Sequence, residues 1–186
     1  MKIYSVVNGS IAVSETSEIA NSPSVTAIKT EQLAGRMRRI SASIQVGQSI
    51  DRVWQILTDY EHLADFIPNL AKSRRLPHPD GGIRVEQIGA QNFLNFRFCA
   101  RVVLDMIENF PNRLDFQMIE GDFKQFFGSW QLEEVSAAGA TQLTYSVTVL
   151  PPRTMPIALI ERKLSSSMAV NLEAIRQRAD ALRITD

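Results

Sequence analysis

The sequence predicts an α+β fold in which a curved antiparallel β-sheet wraps around a long C-terminal α-helix, with two short helices after the first strand. Three observations predict it. An alternating apolar run opens the ordered part of the chain near Arg38. A series of strand-like runs separated by legible turns follows. A terminal segment reaching residue 183 then carries apolar residues at helical spacing. A curved sheet closed over one long helix tends to leave an apolar hollow, and hollows of that kind are where small molecules bind.

The elements follow in order. Ile40, Ala42, Ile44 and Val46 alternate with polar neighbours, the period of a half-buried strand, and Gly47 breaks it. Ser49 is placed to cap a helix, with Asp51 near its positive end. Ile50, Val53, Trp54 and Leu57 recur at helical spacing, and a second helical turn over residues 61–66 stops before Pro68. From Leu70 onward the pattern is strand, turn, strand. The turns are His78-Pro79-Asp80-Gly81-Gly82, Asn109-Phe110-Pro111-Asn112, Gly121-Asp122 and the stretch from Ser136 to Ala140. Between them, Phe96, Phe98, Ala100, Val102, Leu104 and Met106 form one face of a long strand, with Arg97, Cys99, Arg101 and Asp105 opposite. Leu114, Phe116 and Met118 repeat the pattern, as do Trp130 and Leu132, then Leu143, Tyr145, Val147 and Val149. One apolar and one polar face describe an antiparallel sheet with a solvated back. Pro151 and Pro152 end the last strand, and Pro156 sits where a first helical turn tolerates it. Ile157, Ile160, Leu164, Met168, Leu172, Ile175, Ala179 and Leu182 then form one helical stripe. Glu161, Arg162, Lys163, Glu173, Arg176 and Arg178 are expected on the solvated side.

Composition excludes several function classes. At 186 residues, 45% apolar and 22% charged, the chain suits one soluble domain with a sizeable core. Lys+Arg and Asp+Glu balance at 20 each, which argues against general nucleic-acid affinity. Two local basic clusters, Arg36/Arg38/Arg39 and Lys72/Arg74/Arg75, read as solvated edges and turn flanks. Cys99 stands alone, so no internal disulfide or cysteine-based metal site is available; this suits a reducing, cytoplasmic setting. The apolar stretch at Val6-Val7 is too short for a signal peptide, and Glu15, Glu18 and Glu31 argue against a plastid-type transit segment. No run approaches the length of a membrane span. Residues 14–32 are rich in Ser, Thr, Glu and Asn, so residues 1–36 read as a mostly disordered arm ahead of a domain over 37–186.

Several local motifs carry a resemblance. They are Val53-Trp54-Gln55-Ile56-Leu57-Thr58-Asp59-Tyr60, Phe66-Ile67-Pro68-Asn69-Leu70, Glu120-Gly121-Asp122-Phe123, Gly128-Ser129-Trp130, and Asn171-Leu172-Glu173-Ala174-Ile175-Arg176. With the order strand, two helices, six strands and long helix, residues 38–183 resemble the START/SRPBCC superfamily, also called polyketide cyclase/dehydrase. Within it they look like the branch holding coenzyme-Q-binding START-type proteins and cyanobacterial and plastid relatives. The resemblance implies the helix-grip fold and an apolar cavity for lipids, isoprenoids, quinones or polyketides. A fold of this kind hosts many functions, so the ligand stays open.

If the apolar strand faces point inward, the cavity lining includes Val85, Gln87, Phe96, Phe98, Ala100, Phe116, Met118, Trp130 and Tyr145. The long helix adds Leu164, Met168 and Leu172. For each residue taken singly, filling a plain core is the stronger reading, and Trp130 reads as structural. Gln87 and Tyr145 are the polar candidates, because a buried amide or phenol needs a hydrogen-bond partner. Phe66 and Ile67 after the second helix, and Met155 and Ile157 at the start of the third, form two apolar edges expected to frame a portal facing a membrane surface. Arg97 and Arg101 fall on the solvated back, paired across strands with Glu86 and Asp105. Glu120 is a rim or turn carboxylate, and His62 and His78 are expected at the surface.

No catalytic residue, metal ligand set or cofactor motif is assigned, since no nucleophile elbow, P-loop or dinucleotide-binding glycine pattern occurs. The expected function is binding or transport of a hydrophobic small molecule, with transient membrane-surface contact. Two alternatives stay open. One is a cyclase or dehydratase-type enzyme moving a proton through Tyr145 or a rim carboxylate. The other is a protein-interaction module docking through the arm and apolar edges.

Overall fold

The computed structural model describes residue 25 and residues 27–93, 96–135 and 139–183; the side chains of residues 91–98 lie outside the described set. In chain order the elements are β1 (Lys29–Gln32), β2 (Arg38–Val46), α1 (Ile50–Thr58), α2 (Leu63–Phe66), β3 (Leu70–Leu76), β4 (Ile83–Phe93), β5 (Phe96–Asn109), β6 (Arg113–Gly121), β7 (Gln125–Val135), β8 (Ala140–Leu150) and α3 (Ile157–Arg183). The strands form one sheet in the order β1-β2-β8-β7-β6-β5-β4-β3, and every pairing is antiparallel. Strands β3 to β8 are a simple meander. The chain's first long strand, β2, closes on its last, β8, while α1 and α2 carry the chain across to β3 at the opposite edge.

The register sets which face is buried. Ile40 pairs with Val147 and Ile44 with Leu143, so the β2–β8 seam turns an apolar row to one side. All four of these side chains are buried. A register shift at Val103/Leu104 in β5 and another at Leu70/Lys72 in β3 bend the far half of the sheet. Gly128 allows a close approach there. A Cβ at this position would lie 2.0 Å from the Ser146 carbonyl oxygen and 2.7 Å from the Phe116 ring. Only glycine lets that ring cross β7.

The helices obey their sequence signals. The Ser49 hydroxyl accepts from the Arg52 backbone N–H at 3.4 Å and opens α1, whose Val53, Trp54, Ile56 and Leu57 are buried. In α3, Ile160, Met168, Leu172, Ile175 and Ala179 form the buried stripe. The helix lies against β2, α1 and α2 and makes no comparable approach to β4–β7. It therefore rests on one side of the sheet and stands off the other. Among the described residues no helix is long and apolar enough to cross a membrane.

Four expectations are corrected. The disordered arm was expected to run to residue 36, yet β1 pairs with β2 from Lys29 to Gln32, and Val25 bridges to Ile44. All four β1 residues are exposed, so backbone pairing, with an Arg39–Glu31 ion pair at 3.6 Å, holds this edge strand and hydropathy gives no sign of it. Residues 1–24 lie outside the described residues. Arg36 and Arg38 are not a solvated edge. Arg36 donates to the carbonyls of Pro152 (3.1 Å) and Met155 (2.6 Å), and Arg38 pairs with Glu161, so the two clamp the start of α3. Lys163 is 8% exposed instead of solvated. His78 is half-buried, 3.5 Å from the Asp105 carboxylate, whereas His62 is exposed beside Asp59 as expected.

The back of the sheet carries one anticipated cross-strand pair, Arg101 with Glu86 at 2.8 Å. Asp105 pairs instead with Arg84, at 2.6 Å, and the Arg97 side chain lies outside the described residues. Arg74 (2.7 Å) and Lys72 (3.1 Å) also meet Glu86, although its side chain is only 6% exposed. Glu120 is exposed and pairs with Arg101, consistent with a rim carboxylate.

Candidate ligand cavity

Where α3 stands off the sheet, a cavity of about 190 Å³ opens between them. One water needs roughly 10–15 Å³ measured the same way, so the space holds far more than a single buried water. The long strands β4 to β8 build one wall, α3 builds the second, and the end of α1 with α2 closes a third side.

The sheet wall is apolar and strongly aromatic. Ala100, Val102, Leu104 and Met106 come from the inward face of β5, and Leu114 and Phe116 from β6. Phe123, Phe126 and Trp130 continue the wall to Tyr145 on β8. The rings brace one another. Trp130 and Tyr145 stack at 3.9 Å between centroids and 7°, Phe123 and Phe126 at 5.4 Å and 20°, and Phe116 tilts between Phe126 and Tyr145. Such packing fixes a rigid aromatic surface.

Polar groups punctuate this surface. The Gln87 amide reaches the wall and donates at the limiting distance of 3.5 Å to the Ser73 hydroxyl, so the amide keeps hydrogen-bonding capacity. Burial pushes the Tyr145 phenol well above its ordinary pKa, so it stays neutral and able to donate. The Tyr60 phenol lines the α1 end and donates to Glu108 at 2.6 Å; burial first, then that bond, raises its pKa as well. From α3 come Lys163, Ser167 and Asn171, beside the apolar Leu164, Met168 and Ile175. The Asn171 Oδ1 atom is buried and meets no hydrogen-bond donor among the described residues.

The structure sorts the candidate residues of the sequence. Gln87, Ala100, Phe116, Trp130, Tyr145, Leu164, Met168 and Ile67 line the cavity. Val85 and Leu172 are fully buried in the packed core and do not reach it. Met118 is half-buried against the core and also lies outside the lining. The side chains of Phe96 and Phe98 lie outside the described residues. The two expected portal edges do not meet. Phe66 packs under the Arg178 guanidinium, 5.7 Å from its ring centroid, toward the C-terminal end of α3. Met155 and Ile157 stand at the other end, where the Met155 carbonyl accepts from Arg36. A 27-residue helix spans about 40 Å, which separates the edges too far to frame one opening.

Sequence reasoning missed Tyr60, Lys163, Ser167 and Asn171. A signal existed for the last three. They sit one step to the side of the apolar stripe, at four-residue intervals, where polar residues flank a helix face on both edges. Whether such an edge meets solvent or a hollow depends on the sheet opposite. Among the described residues no cluster of His, Cys, Asp or Glu is placed to hold a metal ion.

An open antiparallel sheet, closed by a long C-terminal helix over an apolar cavity, defines a helix-grip protein of the START/SRPBCC kind. The chain belongs to the polyketide cyclase / dehydrase and lipid transport family, whose model matches residues 46–175. Solved structures share the fold at low identity. A STAR-related lipid transfer protein from Xanthomonas axonopodis superposes with a TM-score of 0.67 at 14% identity over 84% of this chain and 94% of that one. A START superfamily protein from Mycobacterium smegmatis gives 0.66 at 14% over 77% and 98%. The Zhui aromatase/cyclase from a Streptomyces strain gives 0.64 at 17% over 77% and 94%. No curated protein matches the chain in sequence.

Proposed function

We propose that the chain binds or carries a hydrophobic small molecule of lipid, isoprenoid or quinone-like character in the cavity between the sheet and α3. The aromatic-lined hollow carries this reading: apolar walls with a few fixed polar groups are the composition of small-molecule sites. Burial of ligand supplies affinity at roughly 25 cal/mol per Å² of apolar area, less the cost of association. The family, whose description includes lipid transport, supports the same class of ligand. The finer likeness to coenzyme-Q-binding START-type proteins, carried by motifs such as Phe66-Ile67-Pro68-Asn69-Leu70, favours quinones or isoprenoids within it. Ligand-binding residues on this reading are Gln87, Ala100, Phe116, Trp130, Tyr145, Leu164 and Met168, in a single domain that includes the β1 edge strand.

A cyclase reading draws on the neighbouring aromatase/cyclase fold and on the Tyr145 phenol. The raised pKa keeps that phenol protonated, a hydrogen-bond donor that gives up its proton reluctantly, and the described lining holds no carboxylate or histidine to accept a proton. Binding is therefore the better supported reading. Its test is lipid extraction of the purified protein followed by mass spectrometry, with uptake of quinone and isoprenoid analogues by the stripped protein. A bound lipid or saturable uptake is the expected result; an empty extract with no uptake of either analogue class overturns it.

A further inference from the structure

The sheet wall fixes one hydroxyl in place. Tyr145 on β8 stands directly across from Trp130 on β7 and from Ala42 on β2. Its ring stacks on Trp130 at 3.9 Å and 7°, and the Phe116 ring leans beside it at 6.1 Å. Leu143 and Val147, two residues away along the strand on the same face, are buried. The ring is therefore braced on several sides while Tyr145 lines the cavity. Its hydroxyl makes no hydrogen bond among the described residues, and burial alone raises its pKa, with no partner contributing. The Tyr60 hydroxyl, by contrast, is taken up by Glu108. A phenylalanine at 145 would fill the same volume without leaving a polar group to be met.

The polar capacity left in the lining is neutral. Lys163 and Ser167 have interaction partners within the protein. What remains is the Tyr145 hydroxyl, the Gln87 amide with its 3.5 Å contact to Ser73, and the Asn171 amide, whose Oδ1 meets no donor among the described residues. The described lining contains no aspartate, glutamate, arginine or histidine. A carboxylate entering this hollow would lose its hydration and meet no free counter-charge there. An uncharged oxygen needs only a hydrogen bond. The phenol keeps its proton and so offers a donor.

We propose that Tyr145 determines specificity: its hydroxyl donates to a carbonyl oxygen of an uncharged ligand whose apolar body lies on the aromatic wall, and the cavity discriminates against carboxylates. This rests on the reading of the hollow as a ligand site and narrows it to ketone- or quinone-like molecules, setting fatty acids aside.

The experiment compares three probes with one aromatic body: an acetylnaphthalene, the matching ethylnaphthalene, which lacks the oxygen, and the matching naphthoate anion. Each is titrated into the stripped full-length protein and into Tyr145→Phe at neutral pH. Wild type is expected to bind the ketone at least about tenfold more tightly than the anion, because nothing offsets the lost hydration of a carboxylate. The ratio of ketone to hydrocarbon affinity is expected to fall about fivefold in Tyr145→Phe, the size of one neutral hydrogen bond. Isotope-edited infrared spectroscopy of the bound ketone reads the bond itself. Its carbonyl band is expected below the position found in hexane with wild type, and back towards that position with Tyr145→Phe. A ratio and a band that are the same in both proteins overturn the inference and leave the hydrophobic-ligand reading standing, as does a naphthoate that binds wild type as tightly as the ketone. Failure of all three probes to bind wild type overturns both this inference and the reading beneath it. Thermal unfolding checks the variant. Should Tyr145→Phe not fold, the wild-type band is decisive by itself, and a hexane-like position overturns the inference.

Discussion

Two regions of the same helix meet the same sheet in opposite ways. On the β2 side, α3 lies close and the layers interlock: Ile40, Ile44, Leu143 and Leu172 are fully buried, and Leu172 does not line the cavity. On the β4–β7 side the sheet bends away, and Met168 and Leu164 face a hollow across from Phe116 and Trp130. Both regions read as apolar stripe against apolar strand. The difference shows that an apolar face specifies burial without specifying contact. Curvature, set by bulges and by the Gly128 crossing, decides whether two greasy layers touch or enclose space.

The comparison is open to breaking. Leu172→Ala removes volume where the layers interlock, so it is expected to cost about 2–5 kcal/mol of stability by leaving a void. Denaturant unfolding measures this, while ligand uptake per folded molecule stays unchanged. A cost below that range would mean the β2 side is loosely packed as well. Ala100→Trp adds volume where the layers part. Its expected stability change is within about 1 kcal/mol, against the 1–3 kcal/mol typical of overpacking a filled core. Uptake of hydrophobic ligand should collapse, and outright unfolding would show that the hollow is solid at that strand.

Asn171→Leu sharpens the contrast within α3. Removing an amide oxygen without a donor should raise the stability of the ligand-free protein by about 1 kcal/mol and weaken binding of hydroxylated ligands. A destabilised variant would show that the amide serves the fold. The smallest effect falls on the back of the sheet. Hydrogen bonds from Arg101, then Arg74 and Lys72, hold the Glu86 carboxyl down to about 2 from its ordinary 4.5. A depressed carboxylate stabilises the fold above its ordinary pKa, and that contribution fades as pH falls from 4.5 towards about 2. Melting temperatures across that window should drop less steeply in Glu86→Gln than in wild type, with uptake at neutral pH the same in both. An identical slope would show that the cluster contributes nothing to acid stability.

Much of this was legible beforehand. Alternation along β5 and β8, the turns with Gly and Pro, and the stripe on α3 are local signals that survive without tertiary context. The Ser49 cap and the pairing of Arg101 with Glu86 followed from spacing and parity. What failed has a common cause. β1 is held by backbone bonds that carry no hydropathy signal. Arg36 and Arg38 clamp the loop before α3 and its first turns, more than a hundred residues away in sequence, as the Arg36–Pro152 separation of 116 and the Arg38–Glu161 separation of 123 show. Val85 and Met118 share parity with true lining residues but stand where neighbouring layers have already met.

The sequence by itself determined the element order, the face each strand buries, and therefore the helix-grip architecture, because those follow from periods of two and of about 3.6 residues along the chain. Tertiary structure alone decided that Lys163 and Asn171 face a cavity, that Leu172 does not, and that Phe66 and Met155 frame no common opening. Those outcomes depend on the distance between layers, and sheet curvature sets that distance through pairings between residues far apart in the chain.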